Sequence, residues 1–442
     1  MTLSRWRIAA YAAPAIAIAA LGPAMGIFLP AFFAQDLGLG LTAVGIAFMA
    51  MRLLNTAMVP LIGAAMDATH GSLGRFRPWL TIGAVSFCIA VGALFMARPG
   101  VGLVYLCVWL GLLYLANSIC ILSHTAWASV LTSDYAERSR VYGWWQGCNV
   151  LGTLLILLIP TLYLTDSSSY SETVRVMGWA IIAMFVPLLL LALAFAREPH
   201  TTRPTKPASL AEHFAMMKRP TVRRILIACF ILEAVNNIRA PLTLFYFLHD
   251  KQLAAGAVSM LLLVQLVGGL VGAGLWSEFA ARRSKHTTLM LTNVLFAISQ
   301  LALLVTPARA FWPVALLIFL GGVFSLAGPS LVRAMMADAN DEEQLASGAD
   351  RGALLQSLIS MANNVGGSLA IGFAFITLGL LGYRGNVSDI LSPAAAWGLP
   401  AIYVIVPATL GLLIVLVMRR YPLTAERHAE VRVQLSVREN AL

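Results

Sequence analysis

The sequence predicts an all-α integral membrane protein, with twelve transmembrane helices in two six-helix halves. Three observations carry that expectation. The chain of 442 residues is 59% hydrophobic and 11% charged, with a mean hydropathy of +0.81. A soluble domain carries about 25% charged residues, so one water-exposed globule could not hide this much apolar surface. Apolar segments of roughly 20 residues, long enough to span a bilayer, occur about twelve times. Finally, a loop pattern recurs. RLLNTAMVPLIGAAMDATHGSLGRFRPW, at Arg52–Trp79, contains Gly63-x3-Asp67 and then Arg75 and Arg77. GLVGAGLWSEFAARRSKH, at Gly269–His286, contains Gly274-x3-Glu278 and then Arg282, Arg283 and Lys285. The two acids lie 211 residues apart (278 − 67), close to half the length, which marks a duplicated membrane protein.

In chain order the helices are expected near 8–33, 41–66, 78–97, 101–131, 140–165, 176–196, 223–248, 254–280, 286–306, 310–334, 352–382 and 395–418. Helix 1 is the first apolar run. It is too long for a signal peptide and lacks a small-residue cleavage site; Pro14, Pro23 and Pro30 bend it. Helix 2 carries Arg52 and Pro60 and runs into the first loop pattern, from which helix 3 opens. Helix 4 holds His124 and Trp127 and ends at Asp134-x2-Glu137, followed by Arg138; helix 5 holds Trp145, Gln146 and Asn149. After helix 6 comes the longest non-apolar stretch, Arg197–Arg224. REPHTTRPTKP suits a linker, and SLAEHFAMMKRP a short amphipathic helix on the membrane surface. Helix 7 holds Glu233, Asn236, Asn237, Arg239 and Pro241, and helix 8 runs into the second loop pattern. Helix 10 ends at Asp338-x2-Asp341, an echo of Asp134-x2-Glu137 offset by 204. Helix 11 holds Asn364, Gly366 and Gly367. The expected division is 1–196 for the N-terminal bundle, 197–222 for a cytoplasmic linker, 223–418 for the C-terminal bundle and 419–442 for a cytoplasmic tail.

Charge placement sets the topology. Of 30 lysines and arginines, 23 fall on the side shared by the termini and 5 on the other, with Arg52 and Arg239 inside helices. The positive-inside rule puts both termini in the cytoplasm of a plasma (inner) membrane. The formal net charge of +10 therefore needs no nucleic-acid partner. Twelve helices in two halves with a cytoplasmic linker form the major facilitator architecture. In that setting Asp67 with Arg75 and Arg77, Glu278 with Arg282 and Arg283, and Asp134 with Arg138 are expected to latch helix ends together and to release when the halves rock. The blander reading is solvated loop charge.

Several stretches resemble the glycoside–pentoside–hexuronide cation symporter family, the group that includes the melibiose permease. They are GRFRPW at Gly74–Trp79, LTSDYAERSRV at Leu131–Val141 and, more loosely, MMADANDEEQ…GADRG at Met335–Gly352. The resemblance covers nearly the whole chain and implies the major facilitator fold and solute transport. It also places departures. The two helix 2 aspartates that ligate sodium in such relatives fall at Asn55 and Val59, and a helix 11 lysine at Asn364. The sugar-holding helix 4 aspartate falls near Ile121–Ser123, and a sugar-contacting helix 5 arginine at Gln146. Sodium wants several hard oxygen ligands and valine supplies none, so sodium-independent transport is expected.

Ionisable groups at membrane depth are functional candidates by default. Glu233 lies about 15 Å into helix 7 at 1.5 Å per residue. It reads either as a neutral, hydrogen-bonded core acid or as a proton-titrating or substrate-contacting group. Asn236 and Asn237 give it a polar face. Arg52, with Asn55 and Thr56 at i+3 and i+4, either binds an anionic group or pairs with an acid of another helix. His124 is a coupling residue or a core histidine. Trp127 and Trp145 stack on a ring or pack an interface, with Gln146 and Asn149 alongside.

No enzyme signature competes: the sequence has no P-loop, HExxH or G-x-S-x-G pattern and no clustered metal ligands. Five cysteines sit singly in apolar helices, as small core residues. No cofactor or metal is expected. The expected function is secondary active transport of a small polar solute, a sugar or glycoside derivative, by a monomer that works with protons or uncoupled. The alternatives are a lysolipid or amphiphile carrier in contact with membrane lipid, and a non-transporting membrane receptor.

Overall fold

The computed structural model of the chain describes residues 4–69, 74–131, 135–163, 170–195, 210–348, 351–383 and 392–440. Among them every regular element is helical. Helices 1 to 12, each long and apolar enough to cross a membrane, run Arg5–Asp36, Leu41–Met66, Arg77–Phe95, Leu103–Ala128, Arg140–Tyr163, Tyr170–Phe195, Pro220–His249, Ala255–Arg282, Lys285–Val305, Phe311–Ser347, Leu354–Leu380 and Pro393–Met418. A linker helix lies at Leu210–Lys218 and a tail helix at Ala425–Asn440.

Helix 10 departs most from expectation. Its apolar run ends where predicted, yet the helix continues to Ser347 through AMMADANDEEQLAS. Those residues are polar and still good helix formers, so hydropathy fixes where the apolar core ends and not where the helix does. Helix 10 also breaks between Ser325 and Ala327. Pro329 lacks an N–H, and its ring crowds the carbonyl four residues back, at Ser325.

Helix contacts repeat between the halves. Helix 1 packs on helix 5 as helix 7 does on helix 11, 2 on 4 as 8 on 10, and 3 on 6 as 9 on 12. Gly152 lies against the backbone of Ile16, and Gly366 against the backbone of Phe230; a Cβ at either would collide with a carbonyl. Both members of the second pair lie 214 residues after the first (366 − 152 and 230 − 16). Further crossings join the halves: helix 2 on helix 11, helix 5 on helix 8 and helix 1 on helix 7.

An even number of crossings puts the two termini and the linker at one end of the bundle, here the terminus face. At the opposite, far face the halves are closed. Thr42 packs on Gly379, Gly45 on Phe375 and Met49 on Gly372, each pairing helix 2 with helix 11. One continuous core joins the first six helices to the far-face part of the last six, through Phe245, Phe375 and Tyr403. A separate core, around Ile225, Met335, Leu358 and Met418, fills the terminus-face part of the last six. On that side Gly63 of helix 2, Gly143 and Gly147 of helix 5 and Gly274 of helix 8 all face open space.

The acidic end of helix 10 is held within its own half. Lys285 reaches Asp338 at 2.6 Å, Arg219 reaches Glu343 at 3.3 Å, and Thr221 donates to Glu342 at 2.8 Å. The tail helix lies across it, with His428 3.0 Å and Arg432 3.6 Å from Asp341. Burial, with Asp338 and Glu342 nearby, pushes the Tyr421 phenol well above its usual pKa and keeps it neutral.

Candidate functional site

The centre of the molecule is a polar chain linking the halves. Arg52 of helix 2 donates from Nη1 to Oδ1 of Asn237 on helix 7, at 2.5 Å. The Asn237 amide nitrogen donates in turn to Oε2 of Glu233, one turn earlier, at 3.1 Å. One amide therefore stands between a cation from the first half and a carboxylate from the second, accepting from one and donating to the other. Gly367 of helix 11 makes the arrangement possible. A Cβ there would lie 2.7 Å from Arg52 Nη2 and 2.9 Å from Asn237 Nδ2. Breaking such a charge-assisted contact costs about 1–3 kcal/mol.

Around this chain, Asn55 and Ser118 of helix 4 share hydrogen bonds of 2.9 and 3.1 Å. Both groups are satisfied, and the Asn55 amide bridges helices 2 and 4. Thr56 spends its hydroxyl on the Arg52 carbonyl at 2.8 Å. Asn364, three residues before Gly367 and on the same face, is half-buried, and its side chain has no partner among the described residues. On helix 5, Gln146 is exposed beside the open glycines. Trp145 is half-buried, and Asn149 donates to the Trp145 carbonyl at 2.8 Å.

Several expected residues lie elsewhere. His124 and Trp127 belong to the core of the first half. His124 Nε2 donates to the Tyr11 carbonyl at 2.7 Å, and the Tyr11 hydroxyl returns a bond to the His124 carbonyl. Trp127 packs edge-on against Tyr11 at 5.5 Å, fully buried. The histidine's hydrogen bonds and the ring contacts of both residues join helix 4 to helix 1. Asn236 turns from Glu233 into a small space with Asn293, Phe296 and Ser325, behind helix 7. Arg239 lies on that inner side too, 4% exposed, between the rings of Phe296 and Tyr403 at 5.3 and 5.6 Å.

At the terminus face the expected latches are partly described. The side chains of Asp67 and Arg138, and the whole of Asp134, lie outside the described residues. Arg75 donates to the Met66 carbonyl at 3.2 Å, and Arg77 to the Leu193 carbonyl. Glu278 pairs with Arg282 one turn on along its own helix, both exposed, instead of bridging to another helix. Arg283 is exposed. Glu278 and Arg282 are thus a solvated pair, while Arg75 and Arg77 hold backbone carbonyls.

Sequence reasoning named Gly367 but missed Ser118 and the place of Arg333 inside helix 10. Arg333 lies one residue before the expected end of helix 10, on the side shared by the termini. In the structure it is exposed within helix 10 and within Coulombic range of Glu233 and Cys229, two residues one turn apart on helix 7.

Comparison with known proteins agrees with this architecture. The chain is 25% identical over 422 residues to the inner membrane symporter YicJ of Escherichia coli (strain K12), covering 93% of this chain and 90% of that one. It is 24% identical over 435 residues to the glucuronide carrier protein homolog of the same organism, covering 94% and 92%. Its fold superposes on a D-xylose–proton symporter with a TM-score of 0.70 at 13% identity, covering 94% and 96%. Residues 10–425 match the family described as MFS/sugar transport protein, and with nearly its whole length inside that match the chain belongs to this family.

Proposed function

We propose that this secondary transporter of a small polar solute works by alternating access between residues 1–196 and 223–418, coupled to protons at Glu233. The observation that carries the reading is the Arg52–Asn237–Glu233 chain. It joins the two halves at the level where the closed far face gives way to the open terminus face. The arginine and lysine bias supports placing the terminus face in the cytoplasm, so this conformation is inward-open.

Protonation of Glu233 removes the charge that Arg52 meets through Asn237, which loosens the bridge and makes far-face opening easier. Deprotonation restores it. Proton occupancy is thereby tied to which face is open. Asn55 and Val59, at the positions of cation-ligating carboxylates in similar symporters, support independence from sodium. The family and the glucuronide carrier protein homolog support a sugar or glycoside derivative as the solute.

Glu233→Gln keeps the shape and removes the titration. In proteoliposomes it should abolish uphill accumulation under an inward proton gradient and leave solute exchange partly intact. Unaltered accumulation by Glu233→Gln would remove Glu233 from the coupling step.

A further inference from the structure

Two adjoining cavities lie at the terminus-face edge of the second half, between the loop joining helices 8 and 9 and the start of the tail helix. The inner one, about 190 Å³, is lined by Lys285, His286, Asp338, Tyr421 and His428. The outer one, about 590 Å³, reaches Phe279, Arg282 and Leu291. Arg283, Ser284 and Thr424 line both.

The inner wall is a set of donors short of an acceptor. Tyr421 is 7% exposed, and its hydroxyl has no partner. Burying such a group without a hydrogen bond is costly. Asp338, the acid of the same wall, is already held by Lys285 at 2.6 and 2.7 Å and approached by His428 at 3.6 Å. Arg282 is spent on Glu278. Arg283 is exposed and makes no ion pair among the described residues. Helix 9 and the tail helix both begin here, capped by Ser284 and Thr424. The first N–H groups of each helix have no partner within it, and each start carries about half a positive charge. The other acid of the lining, Glu426, is exposed in the outer cavity.

The outer cavity adds an apolar side. Phe279 and Leu291 are exposed on membrane-crossing helices, so their free faces meet hydrocarbon. Leu291 stands six residues after Lys285, about 9 Å further along helix 9. Donors at one end and an apolar flank at the other match a molecule with an anionic head and a hydrocarbon chain. A soluble anion would use the head alone.

We propose that this space binds an anionic phospholipid from the surrounding bilayer. Its phosphate lies among Arg283, the Tyr421 hydroxyl and the two helix starts, and one acyl chain runs past Phe279 and Leu291. Arginine meets a phosphate with paired, charge-assisted N–H donors, and helix starts supply further N–H groups. A zwitterionic headgroup would bring its own cation against Arg283 and the helix starts. The bound lipid ties the tail helix to the start of helix 9, and so stabilises the folded chain by mass action. The site lies apart from the Arg52–Asn237–Glu233 chain and requires nothing of the coupling step.

Thermal unfolding of the purified, delipidated full chain in detergent tests this. The probes are dioleoyl phosphatidylglycerol, dioleoyl phosphatidylcholine and inorganic phosphate. Phosphatidylglycerol should raise the melting temperature saturably, phosphatidylcholine should act about tenfold more weakly, and inorganic phosphate should do nothing at matched concentration. Arg283→Gln should weaken the phosphatidylglycerol response about tenfold. Tyr421→Phe should weaken it several-fold and leave the unliganded melting temperature unchanged, since that hydroxyl has no partner to lose. Arg5→Gln, which removes an exposed arginine of helix 1 on the same face, should leave the response intact. Equal responses to the two lipids, a full response in the Arg283→Gln, Tyr421→Phe double variant, or an equal loss in Arg5→Gln would each overturn the proposal. A shift reproduced by inorganic phosphate would overturn it too, by giving the space to a soluble anion.

Discussion

Replacing Gly367 by alanine should open the far face. The new methyl carbon would start 2.7 Å from Arg52 Nη2 and 2.9 Å from both Arg52 Cζ and Asn237 Nδ2. Carbon contacts are comfortable at about 3.5–4.0 Å, so the guanidinium must retreat by roughly 1 Å. That stretches its 2.5 Å bond to Asn237 past useful length. The lost contact is worth about 1–3 kcal/mol, and only the far-closed conformation makes it. The equilibrium should therefore move about 5–150-fold toward conformations in which helices 2 and 11 part. Alanine's better helix propensity acts on both conformations alike and cancels. The assay is maleimide labelling of a single cysteine introduced by Thr42→Cys, which the far-face contact with Gly379 shields, in a protein lacking the five native cysteines. Labelling should rise in Gly367→Ala and in Arg52→Gln, and not in the distant control Thr81→Ala. Unchanged labelling in both variants would refute the idea that this bridge holds the far face shut.

Three other outcomes are expected. Solute affinity should be the same in sodium and potassium media, because Asn55 spends its amide on Ser118 and Val59 has no oxygen to offer; a many-fold gain specific to sodium would contradict this. His124→Phe should lower the melting temperature, since it discards the bond to the Tyr11 carbonyl at a cost of about 1–3 kcal/mol, yet solute affinity should hold within twofold. An affinity loss without a melting change would return His124 to the site. Glu278→Gln should increase labelling of a cysteine at Gln146 if Glu278 bridges helices only when the terminus face closes; equal labelling would leave Glu278 and Arg282 as a solvated pair.

The fold was legible because hydropathy, the linker and the 211-residue loop repeat all bear on the backbone alone. The site was legible in part. Glu233 and Arg52 stood out since charge within an apolar helix is costly, and Asn237 followed from helical spacing. His124 and Trp127 had the same local signal and went to the core instead. What separates them is Tyr11, more than a hundred residues away in sequence, whose carbonyl takes the imidazole Nε2 and whose ring packs edge-on against the indole. Arg333 was hidden for the opposite reason: helix 10 continues past its apolar run, so a residue well inside the helix sits at the apparent edge of its span.

The duplication also explains why sequence could place the halves better than the chemistry. The structural glycines repeat, Gly152 on Ile16 and Gly366 on Phe230, because each half needs the same close helix approach. The polar chain does not. Shifted back by the same 214 residues, Glu233, Asn237 and Gly367 fall on Ala19, Pro23 and Thr153; the 211-residue loop offset sets Arg52 against Leu263. Every charge in the bridge therefore occurs once. Two symmetric carboxylates would be present in both halves and would bias neither face. A single acid in the second half, met by a single arginine from the first, changes its surroundings whenever the halves move. That asymmetry on a symmetric frame gives protonation a way to favour one face over the other.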